Sequence, residues 1–330
     1  EIFHDELSLR SFLDEQMEEG AYPLLVDAYY PGKEVEVDVV TDGENIFIPA
    51  IFEHIEKAGV HSGDSMAVTP PISLTDELKE KVVAYAERIA KGIKFKGIFN
   101  IQYVLYNDTL YVLEVNPRAS RTVPVISKVT GVNMIEIATR TLLGEPLVDI
   151  CGDVKLLPDN KFYTVKAPVF STNKLPGVDP NLVPEMKSTG EVIAMSELFT
   201  TSLKKAFLWN ESLAKAFQKK EKQLIIWNNG ELSETLIEQF KMMGIQFKVV
   251  DDSVSFKEIE DWMKSDEAFA IYQPKGNGDR RIRERALEFD LFVFTAEETF
   301  KAFAQLTNES FEVKAIEDFQ LAYEKEVVLQ

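Results

Sequence analysis

Apolar and polar positions change rhythm along this chain. The segment KEVEVDVVTDG (residues 33–43) alternates Val with Glu and Asp, the pattern of a strand whose two faces differ. PLLVDAYY before it, and NIFIPAIFEHI after the Asp42-Gly43 turn, read as further strands. Residues 73–93 place apolar side chains at helical spacing behind a Ser/Thr-Asp-Glu start. Helices are also predicted over residues 5–19, just after Arg121, and over 133–143 up to Gly144. Short strands and helices in this arrangement predict an α+β region with an antiparallel sheet.

From Cys151 the composition shifts, and Pro158, Pro168, Pro176, Pro180 and Pro184 interrupt any long element. FYTVKAPVF and GEVIAMS are strands in this stretch, a helix is predicted over 197–218, and QKKEK reads as a solvated boundary. Beyond it strands at 224–227, 247–250, 269–272 and 291–294 alternate with helices at 232–243, 256–264, 280–289 and 296–306. Such alternation predicts a small doubly wound parallel sheet. The expected divisions are residues 1–150, 151–220 and 221–330.

The most informative stretch is NIQYVLYNDTLYVLEVNPRASRT, residues 100–122. Two strand-like runs flank Asn107-Asp108-Thr109, a hairpin signal. If all three residues form the turn, Tyr106 pairs with Leu110, Gln102 with Glu114 and Asn100 with Asn116. Ile101, Tyr103, Leu105, Tyr111, Leu113 and Val115 then share an apolar face. The opposite face ends in Gln102, Glu114 and Asn116, with Arg118 and Arg121 just beyond. Cross-strand Cβ atoms lie roughly 5 Å apart, close enough for several oxygens to share a hard cation. A two-residue turn would instead pair Gln102 with Leu113 and undo this arrangement.

Composition narrows the function. The formal net charge of -19 argues against a nucleic-acid or anionic-membrane partner, so a phosphate site must be a local basic exception. No apolar run approaches the roughly 20 residues of a membrane span. One cysteine, Cys151, permits no internal disulfide and fits a reducing compartment. The chain starts without Met on a polar segment that is no signal peptide and runs almost at once into a helix, so it is expected to be part of something longer.

Each candidate has a plainer reading. Gln102, Glu114 and Asn116 are either a solvated strand end or a magnesium-phosphate site of one carboxylate and neutral donors. Arg118 and Arg121 either pair with surface carboxylates or stabilise transferring phosphoryl charge. His61 and Ser62, in the loop EHIEKAGVHSGDS between His54 and Ser65, either cap local backbone or touch a ligand. Glu34, with Glu36 and Asp38, reads as one solvated strand face. GNG at residues 276–278 stands between a strand and a helix, where a turn or an anion site is possible. There is no Ser-His-Asp ordering, no zinc-type spacing and no P-loop.

The segments EHIEKAGVHSGDS, FNIQYVLYNDTLYVLEVNPRASRTVPVISKVTGV and LPGVDPNLVPEMKSTGEV resemble the ATP-grasp fold of the carbamoyl phosphate synthetase large subunit, over residues 23–208. The wording is similar to the second ATP-grasp half, which phosphorylates carbamate. The resemblance implies roles for individual residues. Glu34 holds the nucleotide ribose and Tyr29 lies beside the adenine. Gly59, Val60, His61 and Ser62 line the nucleotide site. Gln102, Glu114 and Asn116 ligate two divalent ions, magnesium or manganese, that bridge the ATP phosphates. Asn116, Arg118 and Arg121 serve the transfer itself. Potassium is a further ion of the same expectation. The implied partners are a small glutamine-amidotransferase subunit and the other half of the large subunit, in a cytoplasmic homo-oligomer.

Two departures qualify the resemblance. The family's glycine-rich phosphate-covering loop and its lobe should lie before Glu1, so this chain alone is expected to be inactive. Residues 221–330 resemble the methylglyoxal-synthase-like regulatory domain in position and alternation. Where relatives carry threonines and a lysine that grip an effector's phosphate, this chain has VVDDSVSF and IYQPKGNG. Asp251 and Asp252 would repel a phosphate, and Lys275 and Arg280 are the only obvious local cations. The competing readings are another ATP-grasp carboxylate-amine ligase, such as a purine-pathway enzyme or biotin carboxylase, and a non-catalytic regulatory or oligomerisation module.

Overall fold

A computed structural model describes residues 2–3, 5–19, 23–171, 179–219, 221–227, 233–251, 253–274, 280–307 and 310–320. The first sheet contains β1 (Lys33–Thr41), β2 (Ile46–Phe47), β3 (Ile51–Lys57), β4 (Ala67–Thr69), β5 (Gly97–Tyr106), β6 (Thr109–Asn116), β7 (Tyr163–Val169) and β8 (Gly190–Ser196). Its order is β6-β5-β1-β3-β4-β7-β8, with β2 added to β1, and every pairing is antiparallel. The helices before β7 are α1 (Glu6–Glu19), α2 (Asp76–Ile93), α3 (Thr122–Thr130), α4 (Met134–Leu142) and α5 (Leu147–Cys151). Thr75 caps α2 by accepting from the Leu78 amide, which explains why the predicted helix starts late.

The two faces of this sheet differ as the alternation in β1 requires. Val35, Val37, Val39, Ile101 and Tyr103 pack against Val82, Ala86 and Ala90 of α2. On the other face Val40, Phe52, Ala67 and Ile98 meet α3 and α4 through Val123, Ile126, Met134 and Ala138. That second face turns polar toward Glu34, Glu36 and Asp38.

A second, wholly parallel sheet consists of β9 (Lys222–Trp227), β10 (Ile245–Val250), β11 (Ala268–Tyr272) and β12 (Phe292–Phe294), in the order β10-β9-β11-β12. With it run α8 (Glu234–Met242), α9 (Phe256–Met263), α10 (Arg280–Glu288) and α11 (Glu297–Ala304). The predicted alternation is present. Its core joins that of the first sheet: Val165, Ala167 and Ala194 belong to the same cluster as Leu224, Phe240, Phe300 and Phe303. Two helices supply the junction, α6 (Phe199–Phe207) and α7 (Glu211–Gln218).

Several expectations are corrected. Residues 23–32 form no strand. The third predicted strand is broken into β2 and β3. The single helix over 197–218 is two, because Asn210 caps α7 with its side chain on the Ser212 and Leu213 amides. Lys222 is buried rather than solvated, and its ammonium donates to the Met243 carbonyl at 3.3 Å. The hairpin turn has two residues, Asn107 and Asp108, both left-handed (φ 48° and 58°), so Tyr106 pairs with Thr109 and Leu105 with Leu110. A bulge then restores the predicted pairs Gln102↔Glu114 and Asn100↔Asn116. Leu110 therefore takes the core side, while Tyr111 and Leu113 are exposed. Tyr111 instead stacks on Tyr30, ring centroids 4.6 Å apart.

Candidate active site

Strand pairing sets the site. Glu34, Glu36 and Asp38 of β1 stand opposite Val104, Gln102 and Asn100 of β5, and Gln102 and Asn100 stand opposite Glu114 and Asn116 of β6. Residues opposed in a ladder project to the same face. The face therefore carries a lattice of three carboxylates, then two amides, then a carboxylate and an amide. Glu34, Glu36 and Asp38 are 2%, 2% and 0% exposed, which overturns the solvated-face reading of β1. Gln102 and Asn116 are half-buried and Glu114 is exposed.

The buried acids are separately managed. Burial pushes Glu34 up to about 7. Burial, reinforced by Glu36, pushes Asp38 up to about 7, although Ser120 Oγ donates to it at 2.7 Å. For Glu36 burial also opposes ionisation, yet His54, Lys166 and Thr122 hold it down to about 2, with Thr122 Oγ1 donating at 2.8 Å. Ser120 and Thr122 lie at the start of α3, so the segment after β6 closes over β1. Missed in the sequence is His54, a β3 residue beside Glu34 and Glu36. Burial works against its charge, but Glu34 and Glu36 outweigh that and raise its pKa.

The loop after β3 meets this face. Gln102 Nε2 donates to Ser62 Oγ at 3.0 Å, and Lys166 Nζ, from β7, donates to the Ser62 carbonyl at 3.0 Å. His61 Nδ1 accepts from the Gly63 amide at 3.0 Å. A Cβ on Gly63 would meet Met186 Sδ at 3.0 Å and Arg121 Nη1 at 3.1 Å, so a larger residue there would push these two flexible side chains back by a few tenths of an ångström. Arg121 also donates to Ser188 Oγ at 3.0 Å and lies 3.6 Å from Glu191 Oε1. Arg118 is exposed and, among the described residues, meets no carboxylate. Gly59 (φ +105°) would bring a Cβ within 3.2 Å of the Tyr29 ring, and Tyr29 OH donates to the Ala58 carbonyl at 3.0 Å. Val60 is half-buried and bridges Ala58.

The structure thus brings Gln102, Glu114, Asn116, His61, Ser62 and Arg121 to one corner of the face. Glu34 lies one strand inward, and Tyr29 with Gly59 lies at the loop's other end. Asn116 Nδ2 donates to Glu114 Oε1 at 2.8 Å, which leaves the Asn116 carbonyl oxygen for a ligand. Among the described residues no group of three or more His, Cys, Asp or Glu is disposed to hold a metal ion. Gln102, Glu114 and Asn116 carry hard oxygen donors of the kind that a magnesium ion takes alongside phosphates and water. Asp252, Lys275 and the glycines at 276–278 lie outside the described residues. No helix among the described residues is long and apolar enough to cross a membrane.

Residues 5–150 match the family described as carbamoyl-phosphate synthase L chain, ATP binding domain. The chain is 42% identical over 326 residues to the carbamoyl phosphate synthase arginine-specific large chain of Halalkalibacterium halodurans, covering 97% of this chain and 30% of that one. With the chain of the same name from Geobacillus stearothermophilus the identity is 47% over 306 residues, 92% of this chain and 28% of that one. A biotin carboxylase domain of a single-chain bacterial carboxylase superposes with a TM-score of 0.43 at 15% identity, over 63% of this chain and 57% of that one. The chain spans about 30% of the length of the relatives it matches. On its sequence this chain is similar over nearly its whole length to part of the carbamoyl phosphate synthase large chain, and residues 5–150 match the ATP binding domain of that family.

Proposed function

We propose that this segment supplies the Mg-ATP site at which carbamate is phosphorylated in a carbamoyl phosphate synthase. The observation that carries the reading is the shared face of Gln102, Glu114 and Asn116, with Gln102 bonded to Ser62 of the neighbouring loop. These three side chains would hold two magnesium or manganese ions, which when bound neutralise charge on the ATP phosphates. Tyr29, Gly59 and Val60 would border the adenine and Glu34 would take the ribose hydroxyls. His61 and Ser62 would line the phosphates. Arg118 and Arg121 would balance charge on the phosphoryl group in flight. A carbamate oxygen would attack the γ-phosphorus in line, giving carbamoyl phosphate and ADP, with alignment supplying much of the rate.

In this reading residues 1–150 carry the nucleotide site, 151–220 extend it, and 221–330 form a methylglyoxal-synthase-like regulatory domain. The parent enzyme would be a cytoplasmic homo-oligomer that takes ammonia from a glutamine-amidotransferase subunit and carbamate from the other half of its large chain, with potassium as a further ion. The 330-residue chain alone would make no carbamoyl phosphate. In the full-length protein Glu114→Ala is expected to lower carbamoyl phosphate synthesis by about 10²-fold or more. Normal synthesis by that variant sinks the assignment.

A further inference from the structure

One buried side chain on this face is used by none of the roles above. His54 is 1% exposed, and its ring stands between two carboxylates of β1. Nδ1 is 3.8 Å from Glu34 Oε1 and Nε2 is 3.7 Å from Glu36 Oε1. Both separations exceed hydrogen-bond length, and neither ring nitrogen nor Glu34 Oε1 has another partner. A buried polar group without a partner costs free energy, so such a trio persists where something completes it.

The two carboxylates are not equivalent. Thr122 Oγ1 donates to Glu36 Oε1 at 2.8 Å, the same oxygen that faces His54 Nε2, and so fixes that carboxylate. The Glu34 carboxylate accepts no hydrogen bond among the described residues. An imidazole wedged between a fixed acid and a free one limits the orientations of the free one. Groups that touch a ligand are commonly oriented in this way by a second layer.

We propose that His54 is a positioning residue for the ribose end of the nucleotide site: braced on Glu36, its imidazole sets the angle at which Glu34 meets the ribose hydroxyls. The inference rests on the reading of Glu34 given under the proposed function. His54 would not touch the nucleotide. Its loss should therefore weaken discrimination between nucleotides with and without ribose hydroxyls, while phosphoryl transfer, governed by groups on β5 and β6, continues.

The test uses the full-length synthase in the direction ADP plus carbamoyl phosphate to ATP, with ADP, 2′-deoxy-ADP and 3′-deoxy-ADP. His54→Gln is expected to raise KM for ADP about tenfold, a loss of about 1.4 kcal/mol, with kcat within about twofold. The preference for ADP over the deoxy analogues should fall close to one. Glu34→Gln should do the same, and the double variant should be no worse than Glu34→Gln alone. Calorimetric titration with the three nucleotides should show the same loss of preference without turnover. If His54→Gln does not fold, Thr122→Val, which releases the brace on Glu36, must lower the preference instead. A folded His54→Gln or Thr122→Val enzyme that keeps the wild-type preference overturns the inference while Glu34→Gln loses it. If Glu34→Gln itself keeps the preference, the ribose reading fails and the inference with it.

Discussion

Asp64 ties the candidate phosphate loop to the segment that leads into β8. It is 1% exposed, and its Oδ1 and Oδ2 accept the backbone N–H groups of Ser188 and Lys187, both at 2.8 Å. Ser188 Oγ in turn donates to the Gly63 carbonyl at 2.8 Å and accepts from Arg121. Lys187 Nζ continues outward to the carbonyls of Asp179 and Asn181, and the Asp179 carboxylate is gripped by Arg283 of α10 at 2.7 and 2.6 Å. Removing the Asp64 carboxylate strands two amide donors. Hydrogen bonds to charged groups contribute about 1.5–3 kcal/mol each. Ser188 is buried but Lys187 is half-buried, so water relieves part of the second loss. Asp64→Ala is expected to cost about 2–4 kcal/mol. Asp64→Asn keeps the shape but turns an NH2 group toward one of the two amides, for about 1–3 kcal/mol. The losses should surface as local opening rather than global unfolding. Amide exchange at Lys187 and Ser188 is the assay, and in Asp64→Ala it should quicken about 30- to 1,000-fold, since each 1.4 kcal/mol is tenfold. Unchanged protection at both amides, with Asp64→Asn as stable as the parent, would refute the reasoning.

Two further outcomes are expected. Glu34 and Asp38 have folded-state pKa values of about 7, above their ordinary values, so the folded chain binds more protons than the unfolded chain across the interval up to about 7. Their contribution is full at low pH and is lost as pH rises through about 7, and His54, whose pKa is also raised, acts in the same direction above the ordinary histidine range. Urea midpoints should therefore decline from pH 5 to 7.5, more weakly in the Glu34→Gln, Asp38→Asn double variant; an equal decline in both excludes these groups as its source. Phe303 of α11 is 1% exposed and meets the rings of Phe207, Phe217, Phe240, Phe269 and Phe294, which span both sides of the junction. Phe303→Ala should cost about 3–5 kcal/mol and lower every transition seen by calorimetry, whereas a shift confined to one transition would show two independent cores.

What the sequence reveals depends on whether a local rule is decisive. The alternation of strands and helices after residue 221 is such a rule, and the parallel sheet follows from it. The acid-Val alternation in β1 predicts unlike faces but not which one water reaches. Glu34, Glu36 and Asp38 are buried, and Thr122 and Ser120 at the start of α3 reach Glu36 and Asp38 across a sequence separation that no local pattern encodes. The setting of His54 is equally hidden from local pattern, since Glu34 and Glu36 lie on a neighbouring strand. Asn210 illustrates the opposite case: a Trp-Asn-Glu-Ser stretch is an ordinary helix start, and reading it as one would have divided the helix over 197–218.

The hairpin shows how a register can hold at one end and fail at the other. Asn107-Asp108 suits a two-residue turn because both residues tolerate positive φ, and such turns match the twist of antiparallel strands. Continued without interruption, that turn would place Leu113 opposite Gln102 and send Glu114 to the α2 side. The bulge adds one residue to β6 between its pairs with Tyr103 and Gln102, which exchanges the faces of everything after it. Leu113, the residue absorbed there, is 54% exposed, so no core contact compels the bulge. The polar end supplies a reason: Glu114 and Asn116 directed into the α2 core would be charged or unbonded in an apolar layer, at several kcal/mol each. On the face they occupy, Asn116 bonds Glu114 and both stand beside Gln102 and Asn100. Burial of Leu110 near the turn and exclusion of Glu114 from the core at the open end demand different frames, and one bulge reconciles them.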